Sequence, residues 1–282
     1  MQSKARTDLA LESTEGTTKS EGIRVSERGR AFRVTEIAVE SDKAGAAIGR
    51  SKGHYLTLEY ARAHADASML RAQAEELSAE LCRFIPCGSV LVAGLGNADI
   101  TPDALGPQTA GQILATRHLR RELRTQEPDT AFLRSLRPVS VLANGVLGQT
   151  GIETAELIAA LRETIQPACI IAVDALACAS VTRLGCTVQI SDTGISPGSG
   201  VQNARAELSE RTLGIPVIAL GVPTVIDLHT AVRQSGGETD LPDMMVTPRD
   251  IDRLLHHAAR LLSLSINLAL HPQLSYEDAE AI

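Results

Sequence analysis

Two aspartates stand in phrases that could set a pair of carboxylates at one reaction centre. Asp103 lies in Thr101-Pro102-Asp103-Ala104-Leu105-Gly106-Pro107, shortly after Gly94-Leu95-Gly96-Asn97. Asp174 lies in Ala172-Val173-Asp174-Ala175-Leu176-Ala177. Each phrase follows an apolar run, residues 89–93 and 169–173. If those runs are neighbouring parallel strands, both carboxylates emerge at one sheet edge, where open α/β sheets place ligands. Two acids facing one cleft can divide the acid and base roles of hydrolysis. Gly94, Gly96 and Asn97 would form the tight turn that brings backbone close to a bound substrate.

Local chemistry offers plainer roles for the same residues. Thr101 as N-cap, Pro102 and Asp103 also read as an ordinary helix start, with the acid favoured by the helix dipole. Asp174 could cap a following helix, although an acid after four apolar residues is costly to bury without a purpose. Gly94-Leu95-Gly96 is not a dinucleotide fingerprint, because its third glycine position holds Asp99. Gly194-Ile195-Ser196-Pro197-Gly198 spells a nucleophile elbow, but Pro197 lacks the N–H that the oxyanion hole needs. Thr150 and Glu153 fit a capping box. Asp192 and Asp227 follow apolar runs, and either is a candidate supporting acid beside the plainer role of a loop or cap acid. The seven histidines show no metal-ligand spacing.

The elements that must position these residues are legible from apolar periodicity. Strands are predicted at 89–94, 138–143, 168–173, 187–191 and 215–220. Helices are predicted at 61–84, 102–124, 151–165, 201–211 and 248–270, the last opened by Thr247 and Pro248. That alternation predicts an α/β fold: a three-layer sandwich with a mostly parallel central sheet and a small β-ribbon between residues 31 and 60. Residues 1–30, rich in Ser, Thr, Glu and Arg, read as a mobile arm ahead of a single domain over 31–282.

Composition narrows the function. Of 282 residues 44% are hydrophobic and only 2% aromatic, so the core is aliphatic and aromatic base-stacking platforms are absent. The net charge of −7 disfavours direct nucleic-acid binding. Five cysteines without a C-x-x-C pair read as reduced packing residues of a cytosolic protein. A polar N-terminus and no membrane-length apolar run argue against secretion and membrane insertion.

Ordered phrases along nearly the whole chain resemble the germination proteases of spore-forming bacteria. They include Arg6-Thr7-Asp8-Leu9-Ala10, Gly94-Leu95-Gly96-Asn97, Thr101 to Pro107, Thr150 to Thr154, Asp174 to Ala177, Gln189-Ile190-Ser191-Asp192, Pro197 to Val201 and Met245-Val246-Thr247-Pro248. The resemblance implies a cytoplasmic endopeptidase of the spore core, made as a zymogen, that degrades small acid-soluble spore proteins during germination. It maps the family's proposed catalytic pair onto Asp103 and Asp174, with no cofactor and no metal. A homo-oligomer is expected. Asp8-Leu9-Ala10-Leu11-Glu12 resembles the family's cleavage sites, which implies self-processing between Asp8 and Leu9 that removes a short pro-segment, residues 1–8. The alternative is that Leu9 and Leu11 dock the arm on the domain.

Two other readings accompany this one. The family fold resembles hydrogenase maturation peptidases, which implies nickel or another metal held by two acids and a later histidine; this chain has no histidine between His118 and His229. The second is a non-catalytic module that binds spore proteins.

Overall fold

The computed structural model describes residues 7–14, 21–61, 67–119, 131–201, 205–237 and 241–282. One continuous sheet organises them, with strands β1 (Ile23–Arg28), β2 (Arg33–Val39), β3 (Gly53–Glu59), β4 (Val90–Gly94), β5 (Val139–Leu142), β6 (Cys169–Cys178), β7 (Thr187–Ser191), β8 (Val217–Asp227) and β9 (Met245–Val246). Their spatial order is β1-β2-β3-β7-β8-β6-β4-β5, with β9 added to β8. Strands β8, β6, β4 and β5 run parallel, as an alternation of strands and helices requires. Strands β1, β2, β3 and β7 extend that half as an antiparallel wing.

The α/β class therefore holds, with the sheet more mixed than expected. The ribbon over residues 31–60 is not separate: β3 pairs with β7 from Tyr55↔Ser191 to Glu59↔Thr187 and fuses it to the main sheet. Alternation marks a strand but carries no label for its partner.

The parallel strands are buried on both faces. In β4 and β6, Val90, Val92, Ile171 and Val173 enter one aliphatic core, and Leu91, Ala93, Ile170 and Ala172 enter the opposite one. The first is roofed by the helices Ala67–Cys82 and Ile251–Leu270, the second by the helix Thr154–Ile165. Helices on both sides give the three layers.

Several predicted elements are shorter. The helix expected over 102–124 is a 3₁₀ turn, Thr101–Asp103, and a six-residue helix, Leu105–Ala110; residues 120–124 lie outside the described set. Thr101 does not cap it, since Ile100 occupies that position. The capping box at Thr150 does not form either: Thr150 ends a short helix, and Glu153 precedes the next without a side-chain cap. The last helix starts at Ile251 behind Asp250, not at Pro248. Over the helix expected at 201–211, the described residues hold a 3₁₀ turn, Ser199–Val201, and a short helix, Glu210–Leu213; residues 202–204 lie outside the described set.

Within residues 1–30, the described parts form two short elements. Residues 23–28 form β1, and a short helix, Ala10–Thr14, packs on the wing with Leu9 and Ala10 fully buried. Residues 1–6 lie outside the described set.

Candidate active site

Strand β6 is longer than its apolar run, and this places Asp174. The ladder with β4 ends at Gly94↔Val173, while pairing with β8 continues through Asp174↔Gly221 to Cys178↔Ile226. Asp174 thus lies within a strand, one step past the end of its neighbour, where the lost partner opens a cavity. It does not cap a helix. It is 5% exposed, and its Oδ1 accepts from Ala175 N–H at 2.9 Å.

The chain leaving β4 fills part of the gap and delivers Asp103. Gly94 and Gly106 press backbone to backbone: a Cβ on Gly94 would stand 2.2 Å from the Gly106 carbonyl oxygen, and one on Gly106 2.2 Å from that of Leu95. Gly96, at φ +108°, would meet the Asp103 carbonyl at 2.1 Å if it carried a Cβ. No other residue fits that left-handed turn at such close range. Asn97 then donates its N–H to Asp103 Oδ2 at 2.8 Å. From the far side the Thr224 hydroxyl donates to the Pro102 carbonyl at 2.6 Å, bracing the turn.

Both carboxylates line one cavity of about 490 Å³, whose walls include Gly96, Asn97, Ile100, Val146, Leu147, Ile195, Arg205 and Met245. Neither forms an ion pair among the described residues. Burial pushes the Asp174 carboxyl well above the usual carboxylate range, and Asp103 and Asp8 push it further. Burial also raises Asp103, opposed by the Asn97 hydrogen bond. Each acid accepts one backbone N–H, so the difference lies in burial: Asp174 is buried and Asp103 only partly so, and the more buried acid without a cation holds its proton more firmly.

Other predicted residues fall elsewhere. Gly94 acts through packing. Asp192 lies outside the cavity, accepting from His54 N–H at 2.7 Å where β3 meets β7. Asp227 caps the helix Leu228–Gln234 through Thr230 N–H. Ser196 lines the cavity, but among the described residues no histidine does, so none of them offers this serine an imidazole base. Among the described residues no group of three or more His, Cys, Asp or Glu is placed to hold a metal ion. All five cysteines are free.

The N-terminal segment contributes to the cavity. Asp8 lines it, Arg50 donates to the carbonyls of Thr7 and Leu9 at 3.1 and 3.2 Å, and Glu12 accepts from Ala179 N–H while pairing with Arg183. These contacts join residues 41 to 171 positions apart, and local pattern gives no sign of them.

Fold and cavity define an α/β protein with paired acids at the C-terminal edge of parallel strands. Comparison with known proteins makes the class specific: the family model for germination protease matches residues 3–235. The germination protease of Clostridium acetobutylicum is 35% identical, covering 97% of each chain. That of Bacillus cytotoxicus is 33% identical, covering 98% of this chain and 96% of its own. The chain belongs to the germination protease family and is a peptidase. Among solved structures, a [NiFe] hydrogenase maturation protease, HycI from Thermococcus kodakarensis, aligns over 67% of this chain and 98% of its own, at 19% identity and a TM-score of 0.37.

Proposed function

We propose that this peptidase is an endopeptidase that cuts small acid-soluble spore proteins in the spore core during germination, working through Asp103 and Asp174. The observation that carries the reading is the meeting of these two unpaired carboxylates in one cavity, with unequal burial. Asp103, the less buried of the two, is the better candidate to ionise and take a proton from the attacking water. Asp174 is the better candidate to stay protonated and deliver its proton to the leaving amine. Each rises partly because of burial, and joint ionisation is further resisted by like charge.

Two further elements belong to the proposal. The chain works as a homo-oligomer, on the family resemblance. It also cuts itself between Asp8 and Leu9, which fits the cavity-wall position of Asp8.

One experiment addresses the central claim: incubation of purified spore protein with the peptidase after exhaustive chelation. Cleavage at an undiminished rate is expected. Loss of cleavage that one defined metal restores would move the chemistry to that metal, and no cleavage under any condition would favour a binding module. N-terminal sequencing in the same incubation should find chains beginning at Leu9. Chains that all begin at Met1 while spore protein is cut would remove self-processing from the proposal.

A further inference from the structure

Beside the cavity, strand β8 carries an extra residue. Leu176 and Ala177 are consecutive in β6, yet they pair with Pro223 and Val225 of β8, so Thr224 is the added residue of a β-bulge. Bulges are uncommon in parallel pairs, and next to reaction centres they re-aim a side chain. Pro223 suits the place, because a residue without an N–H is tolerated in a sheet at a bulge. Thr224 is 2% exposed and stands in the wall of the cavity that holds Asp103 and Asp174.

Its contacts run in two directions. The hydroxyl donates to the Pro102 carbonyl at 2.6 Å. That carbonyl belongs to the planar peptide unit whose N–H is that of Asp103, and this N–H donates to the Ile100 carbonyl at 2.8 Å. Both polar groups of the peptide that carries Asp103 are therefore held, one by the turn itself and the other by β8. Behind Thr224, its own carbonyl accepts from the Thr247 hydroxyl at 2.8 Å. Thr247 directly follows β9, which is fixed by the pairing of Val246 with Ile226 of β8. The Met245-Val246-Thr247-Pro248 phrase, which starts no helix, thus reaches the site through this contact. Three residues before Thr224, Gly221 pairs with Asp174. Strand β8 therefore joins the carriers of both acids.

We infer that Thr224, aimed by the bulge and backed by Thr247, is a positioning residue that sets the place of Asp103 relative to Asp174. The inference rests on the reading of the two aspartates as the reacting pair and adds the residue that keeps them in register. A valine at position 224 would have nearly the same shape but no proton to donate, and the Pro102 carbonyl would lose this partner. The turn would keep its close glycine contacts at Gly94 and Gly96 but lose its tie to the strand that pairs with Asp174. A misplacement of about 1 Å at a reacting group costs on the order of a hundredfold in rate.

The test compares wild type, Thr224→Val, Thr224→Ser and Asp103→Asn as full chains on spore protein, at a temperature well below the Tm of each. Thr224→Val should lower kcat by about tenfold to a hundredfold and leave KM within about twofold, since the hydroxyl is bonded to the enzyme's own chain. Thr224→Ser keeps the hydroxyl and should return kcat to within about threefold of wild type. If the valine variant folds poorly, Thr224→Ala takes its place: alanine and serine differ only in the hydroxyl, and the serine variant should be faster by the same factor. Thr247→Val should lower kcat less, and should add little when combined with Thr224→Val, because the two act through one contact chain. A normal kcat in Thr224→Val beside an inactive Asp103→Asn would overturn the positioning role alone, as would a loss that serine does not restore. Full activity in Asp103→Asn would instead overturn the aspartate reading on which the inference rests.

Discussion

The antiparallel wing and the parallel half of the sheet each gather carboxylates, under opposite electrostatic conditions. On the wing, Glu36 of β2 and Glu80 of the helix Ala67–Cys82 share Arg28 and Arg83, with contacts of 2.6 and 3.0 Å to Glu36 and 2.7 Å from each arginine to Glu80. Burial pushes Glu36 upward, but the hydrogen bonds and charges of Arg83 and Arg28 outweigh it and bring the group down to about 2. In the cavity, Asp174 is buried with no such partner, and the charges that act on it are the like charges of Asp103 and Asp8. Arg205 reaches the same cavity but pairs with Glu153 at 3.7 Å. Burial acts in one direction in both places, so the guanidinium decides the sign of the shift. The wing holds its acids ionised and adds to stability. The cavity withholds cations from its acids, which costs stability and leaves a proton available for chemistry.

The largest effect that tests this contrast is on activity. Asp103→Asn and Asp174→Asn should each abolish cleavage, by more than the roughly 10²–10⁴-fold typical of one acid–base group, because the pair acts as a unit. Glu36→Gln should stay within a few-fold of wild type in the same assay. A folded Asp174→Asn protein with near-normal turnover would erase the functional half of the comparison.

A smaller effect in the opposite direction is expected on stability. The folded state holds the Asp174 proton to a higher pH than the unfolded chain does. As pH rises past the ordinary carboxylate value of 3.8, only the unfolded state gains from ionising, so Asp174 works against folding at neutral pH. Asp174→Asn should therefore raise Tm at pH 7, by roughly 2–4 °C for each kcal/mol of cost relieved, and the gain should shrink towards pH 3.8. A Tm that falls at both pH values would show that the carboxylate is structurally supported in a way the cavity does not suggest.

The two halves also differed in how far their sequences revealed them. The parallel half was legible because its strands are buried on both faces, so continuous apolar runs mark β4 and β6 and an acid directly after one is conspicuous. The end of β6 was not legible, since Asp174 interrupts the pattern while β8 continues to pair beyond it. The start of the helix after Asp103 was misjudged for a related reason: Thr-Pro-Asp has helix-start chemistry, but contact between Gly94 and Gly106 sets the path of the chain. Residues 7–14 carry polar, arm-like composition, and the partners that fix them, Arg50, Ala177 and Arg183, are remote in sequence. Propensity is local, and these outcomes were decided by tertiary contacts.

The smallest effect belongs to the wing and completes the comparison. The folded-state value of Glu36 is depressed from 4.5 to about 2, so its contribution is fully present above 4.5 and is lost as pH falls from there towards 2. Its arginine partners are 35% and 43% exposed, so solvent screening reduces what the shift alone would imply. Glu36→Gln should cost about 1 kcal/mol at pH 7, read from urea midpoints at constant slope. The cost should be smaller at pH 3 and smaller again in high salt. It should also have the opposite sign to that of Asp174→Asn measured in parallel at neutral pH. If Glu36→Gln cost the same at pH 7 and pH 3, its role would be packing, and the guanidinium would no longer account for the difference between the two regions.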